Sequence, residues 1–297
     1  MLKVDGVFAG GGIKSFSFVG ALRVMKNENI EFERLAGTSA GAIVAAFIKA
    51  GFTVDEIESI LDGLDLEELL EPKRTGVIFQ FYKWIRLYRN MGIYKGALLE
   101  KWLEEVLMEK GVKTFNDLPP GSLKMVASDI TTGQLLVLPD DLKRYGIIPE
   151  TFSVARAIRM SCSLPFFFEP VKLQNSNGKH SVIVDGGVLS NFPIWLFSNS
   201  ENKKPERPVV GFRLTPSMEM VSQREVSNAF SMLHSMVETM WKAHDLRHIS
   251  KLHEKNIVFI PVDKIAATQF SISEEEKKEL IELGEKSTEK FLKGWSY

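Results

Sequence analysis

With 297 residues, 44% hydrophobic and 25% charged, the chain can fill a sizeable core but is too polar for a polytopic membrane protein and too apolar for a disordered tract. Its 37 basic side chains offset 38 acidic ones, a formal net charge of -1, so composition leaves no electrostatic footprint for nucleic acid. The single cysteine, Cys162, excludes an intramolecular disulfide framework and a cysteine-rich zinc site, and the five histidines all lie at or beyond His180.

The chain opens MLKVDGVFAGGGIK, with Asp5 and then glycines arriving before any long apolar run. No secretory signal is read there, and no later stretch approaches the ~20 apolar residues of a spanning helix. The expectation is a cytoplasmic chain, with peripheral attachment at membranes left open and the oligomeric state unspecified.

Val4–Ala9 is a short apolar run ending in Gly10-Gly11-Gly12, as expected of a strand feeding a tight turn. Phe16, Val19, Leu22 and Val24 follow near helical spacing, which predicts a helix from Ser15 to Asn27. Phe32–Ala36 reads as a second strand, closed by Gly37-Thr38-Ser39-Ala40-Gly41 and followed by a small-residue helix from Ala42 to Ala50. Strand, glycine turn and helix, repeated within fifty residues, predict an α/β fold with a parallel sheet.

Helices are expected behind a Thr53 cap and over Ala97–Lys110. Between them the aromatic and basic stretch Val77–Tyr88 reads either as a core-packed helix or as a lid or membrane-interface helix, with Phe81, Trp84, Ile85 and Tyr88 on one face. Strands are predicted at Lys124–Asp129, Gln134–Leu138, Ser181–Val184, Val209–Leu214 and Asn256–Pro261. A helix near 222–250 and a charged C-terminal helix from about Ser273 complete the pattern. Phe166-Phe167-Phe168, between two prolines, reads as core or as the wall of an apolar pocket.

Three segments carry chemistry. Gly37-Thr38-Ser39-Ala40-Gly41 is a G-x-S-x-G pattern between a predicted strand and a predicted helix, where a serine hydroxyl is exposed on a sharp turn at a helix N-terminus. The other reading is a glycine-containing turn in which Ser39 merely caps a helix. Gly10-Gly11-Gly12 can point consecutive backbone N–H groups at one spot, as an oxyanion hole requires. Gly20 falls in the wrong place for a dinucleotide fingerprint, and Lys14 follows the glycines without the G-K-[ST] of a phosphate loop. Asp185-Gly186-Gly187 follows Val182-Ile183-Val184, placing an aspartate at a strand's carboxyl end, although Asp-Gly also makes ordinary turns.

Taken in order, these segments resemble the patatin-like phospholipase family: Gly10-Gly11-Gly12-Ile13-Lys14-Ser15, the Ser39 pentapeptide and Asp185-Gly186-Gly187. Ala127–Gly133 and the run around Ser163-Leu164-Pro165 are weaker echoes, and Ser15 stands where the family usually has glycine. The resemblance spans roughly residues 4–215 and implies a three-layer α/β/α fold with a central, mainly parallel sheet and C-terminal helical additions. It implies one domain over 1–297, with a catalytic core of about 4–215 and an extension of about 216–297.

The implied activity is serine acyl hydrolysis of lipid esters, without metal or organic cofactor, on a lipid or membrane-surface substrate. Ser39 would be the nucleophile and Asp185 the proton acceptor. The amides of Gly10, Gly11 and Gly12 would hold the oxyanion, with Lys14 and Ala40 as further candidates and Gly37, Gly41, Gly186 and Gly187 shaping the turns.

Two other readings stand beside it. One is a lipid-binding or regulatory module with a silent site. The other is a Ser-His-Asp esterase drawing on His180, His234, His244, His248 or His253. His244 and His248 share a helix face but lack a third metal ligand, and Cys162 reads as a small packed residue.

Overall fold

A computed structural model of the chain describes residues 1–64, 86–174, 178–197, 206–215, 254–262 and 272–296, with four single positions between 232 and 239. The predicted helix near 222–250 and the stretch 77–85 lie outside the described residues, apart from those four positions.

The chain begins with strand β1 (Leu2–Phe8), a 3-10 turn at Gly12–Ser15 and helix α1 (Phe16–Asn27). Strand β2 (Ile30–Thr38) and helix α2 (Ala40–Ala50) repeat the unit. The second strand runs to Thr38 because its last four residues are wholly buried and pair with the next strand of the sheet. Helix α3 (Val54–Asp62) starts on a capping box in which the Thr53 hydroxyl accepts from the Glu56 N–H and the Glu56 carboxylate accepts from the Thr53 N–H.

Strand β3 (Gly92–Tyr94) and helix α4 (Ala97–Met108) lead to strands β4 (Leu123–Asp129) and β5 (Gln134–Leu138). Helix α5 (Val154–Ser161), strands β6 (Phe166–Phe168), β7 (Val171–Gln174) and β8 (His180–Asp185) follow, then β9 (Val209–Thr215), β10 (Ile257–Pro261) and helix α6 (Glu274–Gly294). The short strands β3, β6 and β7 were not anticipated by periodicity.

The main sheet has the order β10-β9-β1-β2-β4-β8-β7, with β5 also on β4. Strands β10, β9, β1, β2 and β4 run parallel, whereas β5, β8 and β7 pair antiparallel. Each parallel strand is buried over most of its length, as helices on the sheet faces require. Strand β10 extends the same sheet as β1 and α6 packs on α1, so residues beyond 215 are built into the architecture that carries the first motifs.

The register around β4 positions the site. Strand β5 takes one edge of β4 from Met125 to Asp129, which leaves the other edge to β2 and β8. Running parallel to β4, β2 ends with Thr38 opposite Val126; β8 runs the other way and ends with Asp185 opposite Ala127. The carboxyl ends of β2 and β8 therefore meet head-on along one edge of β4, and the residues that leave them, Ser39 and Asp185, converge.

Candidate active site

Ser39 is the N-cap of α2 at φ 53°, ψ -126°, a left-handed φ that non-glycine residues seldom adopt. The strained turn is held on both sides. The Ser39 N–H donates to Oγ of Ser161 at 2.9 Å, and the Ser161 hydroxyl donates to the Val126 carbonyl at 2.6 Å. The Thr38 hydroxyl donates to the Ser190 carbonyl at 3.0 Å. Close approach fixes the start of α2: a Cβ on Gly41 would sit 2.4 Å from the Phe8 carbonyl oxygen, so only glycine lets the helix seat against the end of β1.

Asp185 is 1% exposed. Its N–H donates to the Ser163 carbonyl at 2.8 Å, and Oδ1 accepts from the Gly187 N–H at 2.7 Å. Burial pushes its carboxyl up to about 7, opposed by the Gly187 amide and by a hydrogen bond with the Ser39 side chain. The segment Ser161–Ser163 thus touches both partners, holding Ser39 through a hydroxyl and Asp185 through a carbonyl. Arg159, buried one turn earlier, fastens that segment by donating to Oγ of Ser163 and to the carbonyls of Lys95, Gly96 and Glu169.

The glycine loop lies against the serine, since a Cβ on Gly10 would come within 3.3 Å of the Ser39 Cβ. Its donors are fewer than the motif suggested. The Gly10 N–H is committed to the Asn191 carbonyl at 3.0 Å, and Nδ2 of Asn191 donates back to the Gly10 carbonyl at 3.2 Å. Gly10 is therefore removed from the set of oxyanion donors and becomes the point where the loop is clamped. The Lys14 amide is likewise taken, donating to the Gly11 carbonyl at 3.3 Å. The amides of Gly11 and Gly12, and that of Ala40 at the open N-terminus of α2, meet no acceptor among the described residues. Gly12, at φ 58°, holds the left-handed turn that orients this pair.

Cys162 lies beside Asp185 and hydrogen-bonds with Ser39; full burial pushes its thiol far up, so it stays protonated. His180 begins β8 on an exposed position opposite Gln174. Five residues of strand separate it from Asp185, about 16 Å at ~3.3 Å per residue. His234, His244, His248 and His253 lie outside the described residues. Gly37 and Gly186 sit at further backbone crossings, and Gly187 supplies the amide on Asp185. Among the described residues no helix is long and apolar enough to cross a membrane, and no cluster of three or more His, Cys, Asp or Glu side chains forms.

Sequence reasoning missed Ser161, Asn191 and Arg159. Asn191 follows the Asp185-Gly186-Gly187 triplet by four residues and Ser161 stands beside the Ser163-Leu164-Pro165 echo, but their roles depend on pairings 181 and 122 residues away in sequence.

Residues 6–198 match the family model described as patatin-like phospholipase. An uncharacterized protein of Bacillus subtilis (strain 168), YqhO, is 48% identical over 296 residues, covering 100% of both chains. A cUMP-AMP-activated phospholipase of Escherichia coli is 26% identical over 195 residues, covering 62% of this chain and 54% of its own. Among solved structures, VipD from Legionella pneumophila superposes with a TM-score of 0.57 at 17% identity, over 98% of this chain and 66% of its own, a likeness of fold.

Proposed function

The chain belongs to the patatin-like phospholipase family and is a lipid hydrolase, and from that premise we propose that it cleaves acyl esters of phospholipids or lysophospholipids through a Ser39–Asp185 dyad and an acyl-serine intermediate. The observation that carries this reading is the head-on convergence of β2 and β8, which sets the Ser39 hydroxyl against a fully buried carboxylate.

The chemistry follows from that contact. A free aspartate near pKa ~3.9 is a poor base for a serine hydroxyl. Burial lifts Asp185 to about 7, which brings it close to the pH at which it must work and strengthens it as a proton acceptor. Ser39 Oγ attacks the ester carbonyl while its proton passes to Asp185. The oxyanion develops against the Gly11 and Gly12 amides, with the Ala40 end of α2 adding its dipole. Collapse expels the lysolipid or alcohol, protonated by Asp185. Water, deprotonated by the same carboxylate, then releases the fatty acid from the acyl-serine.

The test pairs two measurements. A fluorophosphonate probe should label the wild type at Ser39 and leave Ser39→Ala unlabelled. A phospholipid and lysophospholipid panel followed by mass spectrometry should show fatty-acid release by the wild type alone. Labelling without turnover on any lipid overturns the substrate class, and absence of labelling overturns the activated serine in favour of a lipid-binding module.

A further inference from the structure

Resting on the lipid-hydrolase reading, the geometry points to a docking surface for anionic bilayers formed by Tyr88, Arg89, Met91, Lys95 and Phe166 at the lip of the site. The first observation is one of charge. Between Glu71 and Glu100 the chain has no acidic residue, yet it carries six basic ones (Lys73, Arg74, Lys83, Arg86, Arg89 and Lys95) and six aromatics. The chain's charges come near balance only when this stretch is counted, so it is a local basic segment that complements anionic headgroups, with aromatic rings suited to the polar–apolar boundary.

The second observation is how the described end of this stretch is presented. A helical turn at 86–90 is clamped on its inner side: buried Arg86 donates to the Glu169 carboxylate at 2.9 Å, and Asn90 donates to the same oxygen at 2.7 Å. Positions i and i+4 share a helix face, so the clamp turns Tyr88, on the opposite face, outward. Tyr88 is 90% exposed, and Arg89 and Lys95 are exposed as well.

The third observation is strain. Met91 and Phe166 are large apolar residues, 37% and 42% exposed, and each has a left-handed φ, 60° and 65°. Gly92 pairs with Phe166 in the small β3–β6 sheet, and Met91 directly precedes Gly92, so the two strained residues lie at the same end of that sheet. Glycine would take either backbone conformation without cost. Bulky side chains kept in such places with more than a third of their surface in water would bury that apolar area on insertion at a lipid boundary. The surface is also coupled to the chemistry, because Phe166 follows Ser163 by three residues and the Ser163 carbonyl holds Asp185.

The experiment measures binding apart from hydrolysis, in the Ser39→Ala background, by co-sedimentation with vesicles of phosphatidylcholine alone or mixed equally with phosphatidylglycerol. The mixed vesicles should bind the chain markedly more tightly, since each cation near an anionic surface is worth about a fivefold gain. Arg89→Glu should weaken that binding about tenfold or more. Met91→Gly should weaken it several-fold while leaving the melting temperature unchanged or raised, which a structural role for the methionine would not do. Equal binding to both vesicle types, wild-type binding by either variant, or a lowered melting temperature in Met91→Gly overturns the proposal. Vesicle binding can persist even if the chain releases no fatty acid, so failure of the hydrolase reading is separately visible.

Discussion

The backbone N–H of Ser39 donates to Oγ of Ser161, and that hydroxyl in turn donates a hydrogen bond to the Val126 carbonyl, so a side chain at the end of α5 ties the strained turn after β2 to the neighbouring strand β4. Two hydrogen bonds through one oxygen explain how a non-glycine residue is kept at φ 53°.

Ser161→Ala removes both bonds and leaves the Ser39 amide without its partner. An unsatisfied buried donor costs ~1–3 kcal/mol. The turn can relax to regain water, which would move Oγ of Ser39 away from Asp185. We expect kcat on a short acyl ester to fall roughly tenfold to hundredfold with KM unchanged. The pH midpoint should rise, since moving Oγ away takes from Asp185 the Ser39 hydrogen bond that opposes its burial. Ser161→Thr, which keeps the hydroxyl, should recover most of the loss; steady-state kinetics of both variants check this. A variant that merely unfolds would instead lose active enzyme without this rescue.

Asp185 gives a pH profile whose two halves have opposite signs. As a base it must be ionised, so kcat/KM should rise with pH and reach half its plateau near 7, the value to which burial lifts the carboxyl. For stability the folded pKa lies above the unfolded ~3.9. Between those values the folded state holds the extra proton, and stability declines as pH climbs from about 4 to 7. Asp185→Asn should abolish hydrolysis, because an amide accepts no proton. It should also remain folded, lose that decline and melt above the wild type at neutral pH. Thermal melts across the pH range, beside an activity profile, test both halves.

Gly12→Ala separates the oxyanion donors from the dyad. Its backbone lies at φ 58°, where a Cβ costs ~1–2 kcal/mol, and relief of that strain would swing the Gly11 and Gly12 amides off their common target. Losing one such donor typically costs ~10²–10³ in kcat. The variant should keep fluorophosphonate labelling at a reduced rate, because Ser39 and Asp185 stay in contact. Labelling at the wild-type rate together with full turnover would mean that these amides do not hold the oxyanion.

The two strand–glycine–helix units and the Asp185 strand were legible because each has a local signature: an apolar run, a glycine turn, a return to helical spacing. The strand β2 proved longer than its apolar stretch because Gly37 and Thr38, neutral in hydropathy, are buried by pairing with β4. What was not legible is whatever depends on register between distant strands. No pattern within β8 says that it runs against β4 and stops one position past the end of β2, yet that register brings the dyad together. The Gly10 amide fell out of the donor set for the same reason, since its acceptor lies on Asn191. Phe166–Phe168 read as core or pocket wall from composition; Phe166 is exposed because it begins a strand only three residues long that pairs with β3 at the surface.

Gly20, which spoils a dinucleotide fingerprint by its position, has a structural task. A Cβ there would lie 1.9 Å from the Ile281 carbonyl oxygen, and one on Gly284 would lie 1.8 Å from the Ser17 carbonyl oxygen. Helices α1 and α6 therefore cross backbone to backbone through two glycines, and neither helix can accommodate a methyl group by turning a side chain aside. Gly20→Ala must push α6 off α1, an overpacking cost of ~1–3 kcal/mol or more. The melting temperature should drop by about 2–5 °C for a chain of this size. Since α1 leads straight out of the Gly12–Ser15 turn, the displacement should also reach the oxyanion loop, lowering kcat per folded molecule. Gly63→Ala is the matched control, with ordinary helical φ and no atom nearer than 3.4 Å to the added Cβ. If Gly20→Ala melts like that control, the close crossing of α1 and α6 is wrong; if it melts lower but keeps full kcat, α6 supports the fold without reaching the site.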